Sequence, residues 1–141
     1  MTGPHRFPVR VYWEDTDAGG IVYHANYLKF AERARSEMVR ALGVGQADLA
    51  AGGHAFAVVH ADIDFKAPAR LDDGLEVVSR VAAVGGASMD VGQAIYRLDG
   101  GAELVRLNIR LGFITLDGGR PVRMPAALRR SLLDLVSERR D

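Results

Sequence analysis

The feature that most constrains this chain is a change of period. Between Asn26 and Gly43 the apolar residues recur at steps of three and four, and beyond residue 54 they recur at steps of two. The first spacing is that of an amphipathic helix and the second that of half-buried strands. In the helical segment Tyr27, Phe30, Ala31, Ala34, Met38, Ala41 and Leu42 share one face. Lys29, Glu32, Arg33, Arg35, Glu37 and Arg40 take the other, with Asn26 read as the N-cap and Gly43 as the stop. A short helical turn is expected at 46–51. Four strands follow, at 55–65, 75–84, 87–98 and 102–116; Gly85-Gly86 and Asp99-Gly100-Gly101 separate the last three, and Asp117-Gly118-Gly119 closes the fourth. Glycine pairs between alternating runs signal tight hairpins, because glycine takes positive φ without strain. A first strand is expected at 9–13 and a C-terminal helix at 123–140, entered through Pro125 and built on Leu128, Leu132, Leu133, Leu135 and Val136.

This order makes the chain α+β, with one long helix that a strongly curved antiparallel sheet can wrap. The alanines of its buried stripe permit close approach of that sheet. Open sheet edges and an apolar rim would remain in a monomer, so at least a homodimer is expected. A length of 141 residues without repeats or linker-like tracts reads as one domain over 1–141. The absence of cysteine removes disulfides, thiolate nucleophiles and Cys-ligated zinc. Eighteen basic residues balance eighteen acids, whereas a nucleic-acid binder carries an excess of cations to replace counterions on phosphate, so no nucleic-acid partner is expected. No apolar run reaches the length of a transmembrane segment, and residues 1–10 lack the apolar core of a signal peptide. A cytoplasmic location is therefore the expectation.

The densest polar stretch is Asp15-Thr16-Asp17-Ala18-Gly19-Gly20-Ile21-Val22-Tyr23-His24-Ala25-Asn26-Tyr27. A calcium loop fails, since position 12 would be Asn26 in place of a bidentate Glu. Asp15 and Asp17 could simply shape turns. The third reading is catalytic: a carboxylate shortly before a helix start, whose free N–H groups and positive dipole end can hold a developing oxyanion. The carboxylate could attack a carbonyl carbon or activate water. Such a pair suffices for a thioester, because a thiolate leaves without a strong general acid.

The spacing Arg10-Val11, Thr16-Asp17, Gly20-Ile21-Val22 and Tyr27 resembles the signature of the 4-hydroxybenzoyl-CoA thioesterase family. The longer run Tyr12–Tyr27, then Phe30–Glu37 and Ala67–Asp73, is most similar to its Tol–Pal-associated, YbgC-type acyl-CoA thioesterases; Trp13 departs from the tyrosine usual there. The resemblance covers essentially the whole chain and implies a hotdog fold. It implies Asp17 as nucleophile or general base, and backbone amides around Tyr23 and His24 polarising the thioester carbonyl. The substrate would be a short-chain aliphatic or aromatic, 4-hydroxybenzoyl-like, acyl-CoA. No cofactor would be needed beyond CoA as part of that substrate. A homodimer or homotetramer, an envelope-linked role and contact with acyl carrier protein follow from the same resemblance.

Tyr23, His24 and Tyr27 are candidate substrate contacts, while Lys66 and Arg70, flanking an Ala-Pro-Ala turn, are candidate cations for the CoA phosphates. Arg106 and Arg110 share one strand face and could serve equally. Asp15, then Asp62 and Asp64, are the reserve acids, although the latter two read better as a solvated outer face shared with His60. His5 falls in an expected frayed terminus, and no histidine spacing suits a metal. Residues 120–141 hold six arginines against Asp134, Glu138 and Asp141, a basic tail able to meet an acidic carrier or simply water. A hydratase lacks its Asp/His dyad here. The rival from another class is a non-catalytic protein that binds acyl-CoA or acyl carrier protein in envelope maintenance; such a binder has no use for Asp17 beside an oxyanion site.

Overall fold

A computed structural model describes residues 3–139, with side chains as far as 136. The strands are β1 (His5–Arg10), β2 (His54–Phe65), β3 (Gly74–Val84), β4 (Ser88–Arg97) and β5 (Glu103–Thr115). They form one antiparallel sheet in the order β1-β3-β4-β5-β2. The helices are α1 (Asn26–Arg40), α2 (Gln46–Ala51) and α3 (Ala126–Arg139). The curved sheet wraps α1, as the change of period implied. Phe30, Ala31 and Ala34 are fully buried against inward-facing Leu75, Val77, Val91, Ile95, Leu107 and Phe113. Leu128 and Leu132 of α3 close the same core. The expected end of α3 at Arg140 lies outside the described residues.

Several boundaries differ from the sequence expectation for physical reasons. The first strand runs over His5–Arg10 and not 9–13. His5 pairs opposite Ser79, so it is no frayed terminus, and its Nδ1 is buried with no partner among the described residues. Pro8 is tolerated because β1 is an edge strand. The strand stops early because the Tyr12 N–H donates to the Asp15 carboxylate at 2.9 Å rather than to a neighbouring strand, and 13–15 close a 3-10 turn. The C-terminal helix begins after Pro125, since the residue before a proline is pushed out of the helical region.

Two glycine pairs behave as expected and one does not. Gly100-Gly101 and Gly118-Gly119 have φ between +62° and +89°. Gly85 and Gly86 do not; there a Cβ would stand 2.7 Å from Ser88 Oγ and 3.0 Å from Arg123 Nη1, so a side chain at either position would displace those groups.

In β2 the register slips between Val58 and His60, a bulge at Val59. The extra residue rephases the strand, so that Phe56 and Val58 before it share the inner face with Ala61, Ile63 and Phe65 after it. His60 and Asp62 then point outward into solvent and pair with each other at 3.2 Å. No helix among the described residues is long and apolar enough to cross a membrane.

Phe30 is wholly buried and meets Tyr27 edge to face, with centroids 6.2 Å apart. Phe30→Ala should cost about 3–5 kcal/mol of unfolding free energy, read from the shift of the urea midpoint at unchanged slope.

Candidate active site

The polar stretch 15–27 folds into a small hairpin that leads into α1. Thr16 bridges to Val22, the Asp17 N–H donates to the Ile21 carbonyl at 2.9 Å, and Gly20, at φ +79°, makes the tip. Asp15, only 5 % exposed, holds this hairpin to the helix. Its Oδ2 accepts the Tyr12 N–H at 2.9 Å and its Oδ1 accepts Asn26 Nδ2 at 2.8 Å, while its carbonyl accepts the Tyr23 N–H at 2.9 Å. Both carboxylate oxygens are engaged, so Asp15 positions the hairpin and is no reserve acid. The same bond corrects the expected N-cap: Asn26 is the first helical residue, Ala25 takes the cap position, and the Asn26 side chain serves Asp15.

Asp17 is exposed at the hairpin. Its Oδ1 accepts the Gly19 N–H at 2.8 Å, which fixes the carboxylate and leaves Oδ2 without a partner among the described residues. A Cβ on Gly19 would lie 3.2 Å from Oδ1, so a side chain there would shift the carboxylate by a few tenths of an ångström. Of the amides expected to meet a carbonyl, that of Tyr23 is spent on Asp15. Those of His24 and Ala25 donate to nothing among the described residues, whereas the Asn26 amide is bonded to the Tyr23 carbonyl. One carboxylate oxygen and two amides therefore flank the entry to α1.

The remaining candidates divide. Arg70 is brought to the hairpin through a bridge to Ile21, and its exposed side chain has no partner among the described residues. The neighbouring Ala69 anchors that loop, its carbonyl accepting the Val22 N–H at 2.9 Å and its N–H donating to the Tyr27 hydroxyl at 3.0 Å. Tyr27 is thus buried, 3 % exposed, and burial pushes its phenol up. Tyr23 and His24 are exposed with ring centroids 4.6 Å apart. Phe65, 53 % exposed, meets His24 edge-on at 6.3 Å and Tyr27 at 5.9 Å. Sequence reasoning placed Phe65 only on an alternating strand; its signal was the end of β2 falling beside the Ala-Pro-Ala turn. Lys66 is engaged elsewhere, bonded to Glu103 at 2.7 Å, as is Arg106, while Arg110 pairs with Asp90 at 2.8 Å. Among the described residues no three acids or histidines converge as a metal site.

Removing the Asp15 carboxylate strands two donors, one of them buried. Asp15→Ala should cost about 1–3 kcal/mol, with the loss measured by denaturant unfolding and accompanied by faster hydrogen exchange at the start of α1. A second outcome concerns Glu103, whose carboxyl is held down to about 2 by Arg106 first and then Lys66. Its folded value lies below the 4.5 of the free group, so the ion pair stabilises fully above that pH and the contribution is lost as pH falls towards 2. The difference in unfolding midpoint between the wild type and Glu103→Gln should hold steady above the upper bound and vanish near the lower.

Comparison with known proteins matches this geometry to a family. A model of the Thioesterase-like superfamily matches residues 11–132. The acyl-CoA thioester hydrolase YbgC of Escherichia coli O6:H1 is 50 % identical over 90 residues, 64 % of this chain and 67 % of that protein. The acyl-CoA thioesterase YbgC of Haemophilus influenzae is 41 % identical over 124 residues, 87 % of this chain and 90 % of that one. The crystal structure of a probable thioesterase from Bartonella henselae superposes with a TM-score of 0.81 at 39 % identity, covering 86 % of this chain and 99 % of the other. The five-stranded curved sheet around α1 is the hotdog fold of these enzymes. This chain belongs to the Thioesterase-like superfamily, on the YbgC-type branch.

Proposed function

We propose that the protein hydrolyses acyl-CoA thioesters, with short-chain aliphatic or aromatic acyl groups as substrates and Asp17 as the reacting carboxylate. The observation that carries this reading is Asp17 Oδ2, unpartnered among the described residues on a hairpin fixed by Asp15, beside the undonated amides of His24 and Ala25. The thioester carbonyl oxygen would accept from those amides, at the positive end of α1. Oδ2 would then either attack the carbonyl carbon, expelling CoA thiolate and leaving an anhydride for water to cleave, or take a proton from water as that water attacks. Both routes yield the free acid and CoA, and both use the carboxylate. CoA arrives with the substrate, and the chemistry calls for no further cofactor.

Arg70 is the cation best placed for the CoA phosphates, because Lys66 is bonded to Glu103. The reading further includes a cytoplasmic enzyme acting as a homodimer or homotetramer. Support for self-association is the unpaired outer edge of β2 together with exposed Val58 and Phe65 on its inner face, apolar surface that a second copy would cover. Acyl carrier protein as a donor of acyl groups and an envelope-linked role rest on the branch resemblance alone.

Asp17→Asn keeps the shape and removes the charge. Thiol release from acetyl-, butyryl-, hexanoyl- and 4-hydroxybenzoyl-CoA should fall by about 10²-fold or more in this variant. Binding of CoA esters without turnover, in wild type and variant alike, would replace the hydrolase with the non-catalytic acyl-CoA binder. Equal turnover in both would remove Asp17 from the reaction.

A further inference from the structure

Arg35 lies on the face of α1 that the sequence assigns to solvent, yet it is only 6 % exposed. Its Nη1 donates to Gln93 Oε1 at 3.0 Å. Gln93 in turn donates to the Ala31 carbonyl and to Ser79 Oγ, tying α1 to β3 and β4. A guanidinium has five N–H donors, and no other acceptor and no carboxylate within ion-pair distance meets this one among the described residues. The charge acting on it is that of exposed Glu32, one turn earlier, while burial itself works against the charged form. Such a group is more than the neutral clamp to Gln93 requires: an apolar side chain of similar volume would fill the space without the desolvation cost.

Arg35 also lines an open cleft of roughly 480 Å³ between α1 and the β2 side of the sheet, within the range of small-molecule sites. Phe56, Val58 and Met89 give it apolar walls, and Glu32 and Ser36 stand on the helix side. Leu28, exposed, continues this helix stripe towards the undonated amides of His24 and Ala25. Arg35 is about 15 Å along the axis from Ala25 at 1.5 Å per residue, and helix side chains slant back towards the N-terminus. An acyl group running along that stripe would pass Leu28, then lie between Glu32 on the helix and the apolar wall of Phe56, Val58 and Met89, and meet the guanidinium last.

We propose that this cleft receives the acyl group and that Arg35 is a specificity residue for acyl chains ending in a carboxylate. The proposal rests on the thioesterase reading for its substrate, and on the buried guanidinium and the cleft for its selectivity. Arg35 pairs with the terminal carboxylate by charge-assisted hydrogen bonds, the geometry at which guanidinium excels.

The test compares kcat/KM for suberoyl-CoA and octanoyl-CoA, chains of equal length differing in the terminal carboxylate, in wild type, Arg35→Lys and Arg35→Met. The suberoyl-to-octanoyl ratio should fall about tenfold or more in Arg35→Met, the size of one lost charge-assisted bond, and less in Arg35→Lys. A ratio that stays constant while both rates fall together would make Arg35 a packing residue and overturn the proposal. Should Arg35→Met fail to fold, calorimetry of the wild type with free suberate and free octanoate decides. Suberate binding about tenfold tighter supports the pairing; equal or weaker binding overturns it. Suberate preference without hydrolysis of any thioester would refute the hydrolase reading alone, and hydrolysis without carboxylate preference would refute this proposal alone.

Discussion

The arrangement depends on one buried carboxylate. Asp15 accepts from Tyr12, just past the first strand, and from the first residue of α1, and its carbonyl takes the Tyr23 amide. These three bonds convert an extended segment into a helix entry over a dozen residues. Spending the Tyr23 amide on Asp15 leaves the next two amides undonated, and closing the turn at 13–15 places Asp17 on its own hairpin. The acid proposed to react is thereby separated from the acid that supports it, although only one residue lies between them. A buried donor or acceptor must be matched or its desolvation is lost outright, and here the match is complete at both oxygens.

The sheet makes a second set of demands. To curl round a helix it needs small groups where surfaces approach, and Ala31 and Ala34 supply them on α1, with no exposure left. It also needs a change of phase in its longest edge strand, which the bulge at Val59 provides; Gly112 on β5 leaves room for the Val59 side chain, a Cβ there lying 3.3 Å from Val59 Cγ1. Without that rephasing, His60 and Asp62 would turn inward and Phe65 would turn away from His24 and Tyr27. The bulge is thus what joins an edge strand to the wall of the site. The polar bridge from Gln93 to the Ala31 carbonyl sets the seat of the helix on the sheet in a way apolar packing alone does not, because hydrogen bonds fix direction as well as distance.

Element types were legible in the sequence because they rest on local period: α1, α2 and four of the five strands fall within one or two residues of the spans that spacing and glycine pairs mark. The first strand was displaced because its end is decided by Asp15, three residues beyond Tyr12, and not by the β-branched run itself. The catalytic candidate was legible as a motif, through resemblance. The partners of each motif residue were not. Asp15 and Asp17 have the same side chain and nearly the same neighbours in sequence, yet one is enclosed and doubly bonded while the other is open to solvent.

What the sequence by itself determined is the order of elements, the helix-on-sheet class, and the family to which the 12–27 run belongs, since periodicity and motif spacing are properties of neighbouring residues. Only the tertiary structure decided that Tyr27 is buried, that Lys66 is held by Glu103, that Phe65 reaches His24, and that Arg35 is enclosed. Each of these depends on contacts between segments tens of residues apart. On the helix Arg35 falls one turn after Ala31, at the edge of the apolar face where it meets Glu32; the sheet curving over that flank, with Gln93 at its centre, is what buries the guanidinium.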